Sequence, residues 1–456
     1  MQSSTLAKGS FVVSLCVLSF LYGFAARWHG WFPNDVLEQA STQATNLRKH
    51  WSDEPIPLAS RVYDRQGARV VDSSKVQPGY TLITSIWNDD SEWTTGLRLI
   101  DRTGETVHHW PVDKSTLFPD SLDFWVLYPD VRAIHGSRLL PDGDVVVALS
   151  RIGTVRLDAC GAIEWRQTQR GHHAVTRADD GTFWIPGTGQ RPRRTSRAYP
   201  DGYPGLDEPV SVELLLHVAP NGTILQKINV LDLLYDNGLD RYLAKTYQPD
   251  AGTDGPDTKD VMHLNDVEPL SSALADAYPL FDAGDLLVSL RNPDLVFVVD
   301  PETGTSKWHA SDPFIQQHDP DFIGEGWIGV LDNNEDFTNR GSMLGGSRIV
   351  AVQPHTDSTR ILFPTSQSEP FYTDVRGKWQ MLENGNLLLT ESQTGRVVEV
   401  TAEGRTVWEW VQPPYNKAKV PVVTKAARHQ LSRAEIASWP CASVDSTSHS
   451  EHARDQ

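Results

Sequence analysis

The run VVEVTAEGRTVWEW (Val397–Trp410) decides the fold of this chain. β-Branched residues lead into a short turn that ends on glycine, and a second apolar strand leaves it and closes on tryptophan. The same unit recurs as LRLIDRTGETVHHW (Leu97–Trp110), VRLDACGAIEW (Val155–Trp165) and VFVVDPETGTSKW (Val296–Trp308). In Gly161/Trp165, Gly304/Trp308 and Gly404/Trp408 the glycine and the indole keep a four-residue spacing. Two looser copies, LLHVAPNGTILQKI around Asn221-Gly222 and IVAVQPHTDSTRILF around His355, bring the count to six.

A second unit alternates with the first: a strand enters an Asp-Gly or Asn-Gly turn and leaves as an apolar strand. It is read at HGSRLLPDGDVVVAL from His135, HAVTRADDGTFWI from His173, HDPDFIGEGWIGVL from His318 and GKWQMLENGNLLLT from Gly377. In His135/Gly143, His173/Gly181 and His318/Gly326 the histidine stands eight residues before the turn glycine, and Gly377 stands eight before Gly385. A fourth histidine-led strand, MHLNDVEPL with His263, carries an insertion before DAGDLLVSL. Two hairpins per repeat make a four-stranded antiparallel sheet, with a repeat of about 50 residues. Such sheets bury their faces only by stacking on one another, so the sequence predicts an all-β chain built as a six-bladed β-propeller. A pair of β-sandwiches would not explain six matching turns. The propeller is expected over 79–415, after a signal-anchor or transmembrane segment (1–33) and a juxtamembrane helix and linker (34–78); a C-terminal extension (416–456) follows.

In a propeller, equivalent residues of different blades approach one axis. His135, His173, His263 and His318 therefore become neighbours although they are far apart in sequence. A single strand histidine is an ordinary structural residue; several in one register suggest a site, and His135 is the one that repetition alone best explains.

The composition narrows the function. With 41 Lys+Arg against 59 Asp+Glu in 456 residues, the formal net charge is −18. No nucleic-acid partner is expected, since phosphate backbones are bound by a basic excess. Cysteines occur only at 16, 160 and 441, which excludes a CxxC zinc or redox motif. At the N-terminus Lys8 precedes the uncharged run Phe11–Ala26, and Trp28 and Trp31 follow where an interfacial aromatic belt would sit. The run reads as an uncleaved signal anchor, so the membrane is a partner through this helix; Gly23 and Ala25 also permit cleavage. Either way the body lies outside the cytoplasm (periplasmic if the source is bacterial), where Cys160 and Cys441 are free to pair if folding brings them together. No phosphate-binding glycine loop and no H-E-x-x-H is present, so no nucleotide donor, cofactor or metal is expected. The acidic insertion Asp250–Asp260 lacks calcium-loop spacing and reads as a solvated loop.

The strings HHAVTRADDG, HLNDVEPL, GDLLVSLRNPDLVFVVD, QQHDPDF followed by VLDNNED, and ESQTGRVVEVTAEGRTVWEW resemble the arylsulfotransferase family over roughly residues 79–415. That family, a six-bladed propeller, moves sulfate between aryl sulfates and phenols without a nucleotide donor. The resemblance implies an aryl sulfate donor and a phenolic acceptor as small-molecule partners. It places the sulfuryl-accepting nucleophile on His318, the supporting histidines on His173 and His263, an amide donor on Asn265 and a cationic anchor on Arg291. His172 competes with His173 for its role. The oligomeric state is not legible. Two rival readings remain: a histidine-ligated metal enzyme, in which Asp266 and Asp319 would orient the rings, and a non-catalytic membrane-tethered binding propeller.

Overall fold

The computed structural model describes residues 2–29, 32, 57–89, 92–119, 134–247, 260–338 and 340–441. The juxtamembrane helix expected over 34–51, most of the acidic insertion and the polar tail from 443 onward lie outside the described residues.

Each pair of repeat units folds into one antiparallel sheet, and six sheets form a six-bladed propeller. Blade 2 runs Ile134–Leu139, Val145–Leu149, Gly153–Leu157, Ile163–Gln167 from axis to rim. Blade 3 has a broken inner strand (Arg170–Gly171 and Thr176–Arg177), then Phe183–Thr188, Glu213–Val218 and Ile224–Asn229. Blade 4 is Leu264–Pro269, Leu286–Leu290, Leu295–Val299 and Ser306–Ala310; blade 5 is His318–Phe322, Ile328–Asp332, Arg348–Gln353 and Ser358–Phe363. Blade 6 is Lys378–Met381, Leu387–Glu391, Arg396–Val400 and Thr406–Val411, with Gly67–Val70 added at its outer edge. Blade 1 takes its inner strand, Lys425–His429, from the C-terminal part of the chain and continues as Tyr80–Asp89, Glu92–Ile100 and Thr106–Pro111. The ring thus closes by pairing Lys425 with Thr84 and His429 with Tyr80. Both strands that join first blade to last come from outside residues 79–415.

The turns follow from their glycines. Gly104, Gly161, Gly222, Gly304 and Gly404 have φ between 72° and 87°, a left-handed backbone that costs glycine nothing. The looser sixth copy has no glycine there and uses Asp357, φ 53°. The strands are fully buried on both faces in the middle of each blade, so Val145–Leu149, Leu295–Val299 and Leu387–Glu391 are inaccessible along their whole length. Each Val or Leu removed from water there contributes roughly 1.5–3 kcal/mol.

The repeat tryptophans join neighbouring blades. Trp110 of blade 1 donates its indole N–H to the Gly143 carbonyl in the first turn of blade 2 (3.1 Å). Trp165 of blade 2 donates to Pro220 O of blade 3 (2.8 Å), and Trp408 of blade 6 to Arg102 O of blade 1 (2.8 Å). The last of these spans the closure of the ring. A disulfide between Cys160 and Cys441 fastens the C-terminal segment to blade 2, and Trp439 beside it packs on Trp110 and His108.

Trp408→Ala should lower stability by about 3–5 kcal/mol, the cost of emptying a buried indole site. Trp308, only half-buried, should cost clearly less when changed to alanine. Urea unfolding of both variants checks the order.

Candidate active site

The ladder register shows which residues share a level on the axis. In the six blades Arg138, Thr176, Glu268, Asp321, Gln380 and Arg428 each pair with the second residue of the following strand. Three residues before them stand His135, His173, Asn265, His318, Gly377 and Lys425. His135, His173 and His318 therefore share one ring of positions, as their spacing predicts. His263 does not: its place in that ring belongs to Asn265, and His263 stands two residues earlier, level with Gln316.

The side chains nevertheless converge. The His173 ring lies 4.7 Å from that of His135, 5.0 Å from His263 and 4.9 Å from His172, centroid to centroid. His318 is close enough that His263 and Arg291 both oppose its protonation. His173 and His263 occupy left-handed backbone, φ 56° and 51°, an unusual state for non-glycine residues.

Each ring is held through one nitrogen. His318 is 3% exposed; its Nδ1 lies 2.6 Å from Asn333 Oδ1 and 3.1 Å from Gln316 O. Asn333 spends its own amide hydrogens on the carbonyls of Thr373 and Arg376, so its oxygen faces the ring as an acceptor. Nδ1 must carry the proton, and Nε2 keeps its lone pair. His263 Nδ1 lies 2.7 Å from Asp260 Oδ2 and donates its proton there. Behind His173 a third device operates: Glu213 accepts from His172 Nε2 (3.0 Å), and His172 Nδ1 lies 2.7 Å from His173 Nδ1. The two Nδ1 atoms share one proton, so the pair holds the His173 ring through that nitrogen.

Burial pushes the pKa of His318 well below the ordinary value, with Arg291 adding to the effect. Burial and the neighbouring His135 do the same to His173, and burial with the Arg376 charge to His135. These imidazoles are neutral at pH 7. Burial alone would raise the Asp260 carboxyl, yet the His263 ring beside it and the Arg151 guanidinium hold it well below the usual range.

Several expectations change. Asn265 is fully buried, and its amide donates to the Gln317 carbonyl (2.7 Å), next to the His318 strand, while its Oδ1 has no hydrogen-bond partner among the described residues. Arg291 follows the second strand of blade 4, where its backbone N–H donates to His263 O (3.0 Å); its guanidinium meets Asn292 Oδ1 (3.1 Å). Asp266 and Asp319, expected to orient histidines in the metal reading, instead flank the Lys378 ammonium at 2.5 Å each. That task falls to Asp260 and Glu213. Asp260 was read as the end of a solvated loop, but it is 7% exposed and built into the site; its place three residues before His263 was the available signal. His172 proves to be a support for His173. Nothing in the spacing marks Glu213. Among the described residues no group of three or more His, Cys, Asp or Glu is placed to hold one metal ion. Below Lys378 the axial channel widens into a cavity of about 220 Å³ lined by Arg138, Glu268, Asp321 and Lys425. Burial raises Glu268 to about 8 there.

The family model for arylsulfotransferase (ASST) matches residues 136–413, which includes every histidine of the site except His135. The chain belongs to the arylsulfotransferase family. No curated protein matches it. Among solved structures it is similar to a protein of unknown function from Bacteroides caccae: 15% identity, TM-score 0.46, covering 76% of this chain and 99% of that one. It is also similar to virginiamycin B lyase from Staphylococcus aureus (12%, TM-score 0.34, 63% and 73%) and TolB from Acinetobacter baumannii (10%, TM-score 0.40, 75% and 65%). Family membership supports sulfotransfer between aryl compounds in general, with small-molecule substrates.

In this arylsulfotransferase Asp260→Asn should lower aryl sulfate turnover about 10–100-fold, the usual effect of losing a carboxylate that orients a functional histidine. Steady-state rates with an unchanged unfolding midpoint would confirm a positioning role.

Proposed function

We propose that this protein transfers a sulfuryl group from an aryl sulfate to a phenol through a sulfohistidine on His318, in a ping-pong sequence. The observation that carries this reading is the neutral His318 ring, locked through Nδ1 with its Nε2 lone pair unused. In the first half-reaction Nε2 forms a bond to sulfur as the sulfur–oxygen bond to the aryl group breaks, and the phenolate leaves with the electron pair. His263, holding a proton on each ring nitrogen and charge-balanced by Asp260, gives that phenolate its Nε2 proton. In the second half-reaction an acceptor phenol returns a proton to His263 and attacks sulfur, and the sulfur–nitrogen bond breaks to release His318 with its lone pair restored. Arg291 is the cationic partner for the sulfate oxygens, whose charge is delocalised much as in phosphoryl transfer. Asn265 steadies the strand that carries the nucleophile through the Gln317 carbonyl, and one amide hydrogen remains for the substrate.

The N-terminal helix Gln2–His29 holds the propeller to a membrane on its extracytoplasmic side. Its segment Ala7–Ala26 is apolar with one charge, Lys8, and the Cys160–Cys441 disulfide suits an oxidising compartment.

His318→Ala should reduce turnover of a chromogenic aryl sulfate on the order of 10³-fold or more, and mass spectrometry of donor-treated wild type should place the sulfuryl adduct on the His318 peptide. Equal turnover in both proteins would remove the assignment. Because the buried rings resist protonation, kcat/KM should hold steady as pH falls through about 6.5 and drop only at lower pH. A half-maximal point at or above the ordinary histidine value would contradict neutral, buried bases.

A further inference from the structure

The histidine end of the propeller carries an apolar projection that the chemistry leaves unused. It is the segment 333–347 between the second and third strands of blade 5. His318 pairs with Leu331, close to the point where this segment leaves the sheet, and the segment's first residue, Asn333, holds the nucleophile's ring. At its tip Phe337 is 98% exposed, Met343 63% and Leu344 46%.

These side chains are not loose. Asp336 accepts hydrogen bonds from the backbone N–H groups of Thr338 (2.9 Å), Met343 (2.7 Å) and Leu344 (3.1 Å). Asn334 donates to the carbonyls of Leu344 and Gly346, and the N–H groups of Gly345 and Gly346 meet Gly341 O. The fold holds apolar groups in water on a pre-ordered finger. Clustered exposure of that kind marks an interaction surface.

The path of the N-terminal chain supplies the occupant. Residues Leu58–Ser60 pair with Lys419–Pro421, and Val422 N–H donates to Pro57 O (3.3 Å). Tyr63 then donates to Glu391 Oε2 (2.8 Å), at the histidine end of its strand, since Lys378 pairs with Thr390. The other oxygen of Glu391 accepts from Tyr372 N–H (3.1 Å). The Tyr372 ring covers Gly341 so closely that a Cβ there would lie 2.6 Å from it. The chain arriving from the N-terminal helix therefore meets the propeller on the face that holds the histidines, one contact away from the finger, with Val62 beside it 62% exposed.

We propose that Phe337, Met343 and Leu344 insert into the interfacial layer of a lipid bilayer, the one held by the N-terminal helix, so that the histidine pit faces the membrane surface. This rests on the anchor reading above. An aromatic and two flexible apolar side chains suit the boundary between headgroups and acyl chains. The net charge of −18 opposes attraction to anionic lipid, so the contact is apolar and a zwitterionic surface serves.

The test uses the full chain reconstituted in phosphatidylcholine vesicles. Cys16, the one unpaired cysteine among the described residues, is first replaced by serine. An environment-sensitive fluorophore is then placed at Met343→Cys, or at Leu225→Cys on an outer strand of blade 3, where Leu225 is 55% exposed. Doxyl-labelled lipid should quench the probe at 343 at least threefold more than the probe at 225, and Phe337→Asp should abolish the difference while turnover of a soluble aryl sulfate stays unchanged. Equal quenching at both positions in protein that floats with the vesicles would overturn the finger and leave the anchor standing. Shielding of the 343 probe from aqueous iodide without lipid quenching would mean that protein covers it, which also overturns the proposal. Failure to float with vesicles would remove the anchor and the finger together.

Discussion

One constraint governs this molecule: six sheets must close into a ring, and the strand that closes it comes from the far end of the chain. Pairing of Lys425–His429 with Tyr80–Thr84 brings blade 1 against blade 6, and the Trp408 indole bonded to Arg102 seals the same junction on the rim. An open array would leave two large apolar faces in water. It would also leave the histidines of blades 2, 3, 4 and 5 on a curved row with no shared centre. Closure therefore serves stability and site assembly with one set of contacts, and the Cys160–Cys441 bridge works on the same segment from the other side. In the unfolded chain such a long cross-link removes conformational freedom.

Within the ring, the site depends on where each inner strand starts. His173 and His263 stand in left-handed backbone, at a cost of order 1–3 kcal/mol each, which aims their rings differently from those of regular strand residues. Each ring then spends one nitrogen on a fixed acceptor: Asn333, Asp260, or His172 backed by Glu213. Burial keeps His318 and His173 neutral. Together these choices leave the bare Nε2 of His318 beside the charge of Arg291. A positively charged pit would bind sulfate tightly and hold it; a neutral nucleophile favours transfer, because its help grows as charge develops.

The repeats made the ring legible, since glycine turns and terminal tryptophans have a mechanical meaning that survives without homologues. The eight-residue spacing likewise brought out His135, His173 and His318. It misplaced His263 because the insertion after MHLNDVEPL moved the turn glycine that served as ruler out to Gly284; only the ladder reveals Asn265 as the counterpart of His318. Orienting groups were harder still. Asp260 sits next to its histidine in sequence, but an acidic loop of that composition is ordinarily solvated, and Glu213 reaches His172 across a sheet from 41 residues away. Lys378 drew Asp266 and Asp319 to itself, a pairing between three different blades that no local pattern encodes.

That lysine also explains why one axial channel can hold two chemically different floors. An ammonium between two carboxylates cancels one of their two charges, and burial raises the Asp266 carboxyl to about 6, so the layer under the imidazoles is polar and partly compensated. Beneath it, burial raises the carboxyls of Glu268 and Asp321 and lowers the Lys425 amine to about 8, which lets protons settle among them with little net charge. Without Lys378, Asp266 and Asp319 would stand as unpaired anions below His318 and draw protons onto the rings above. Their field would favour imidazolium over imidazole, and a nucleophile that holds a proton on Nε2 has no lone pair to offer. The neutrality of His318, set first by burial, is thus supported from below by the Lys378 charge.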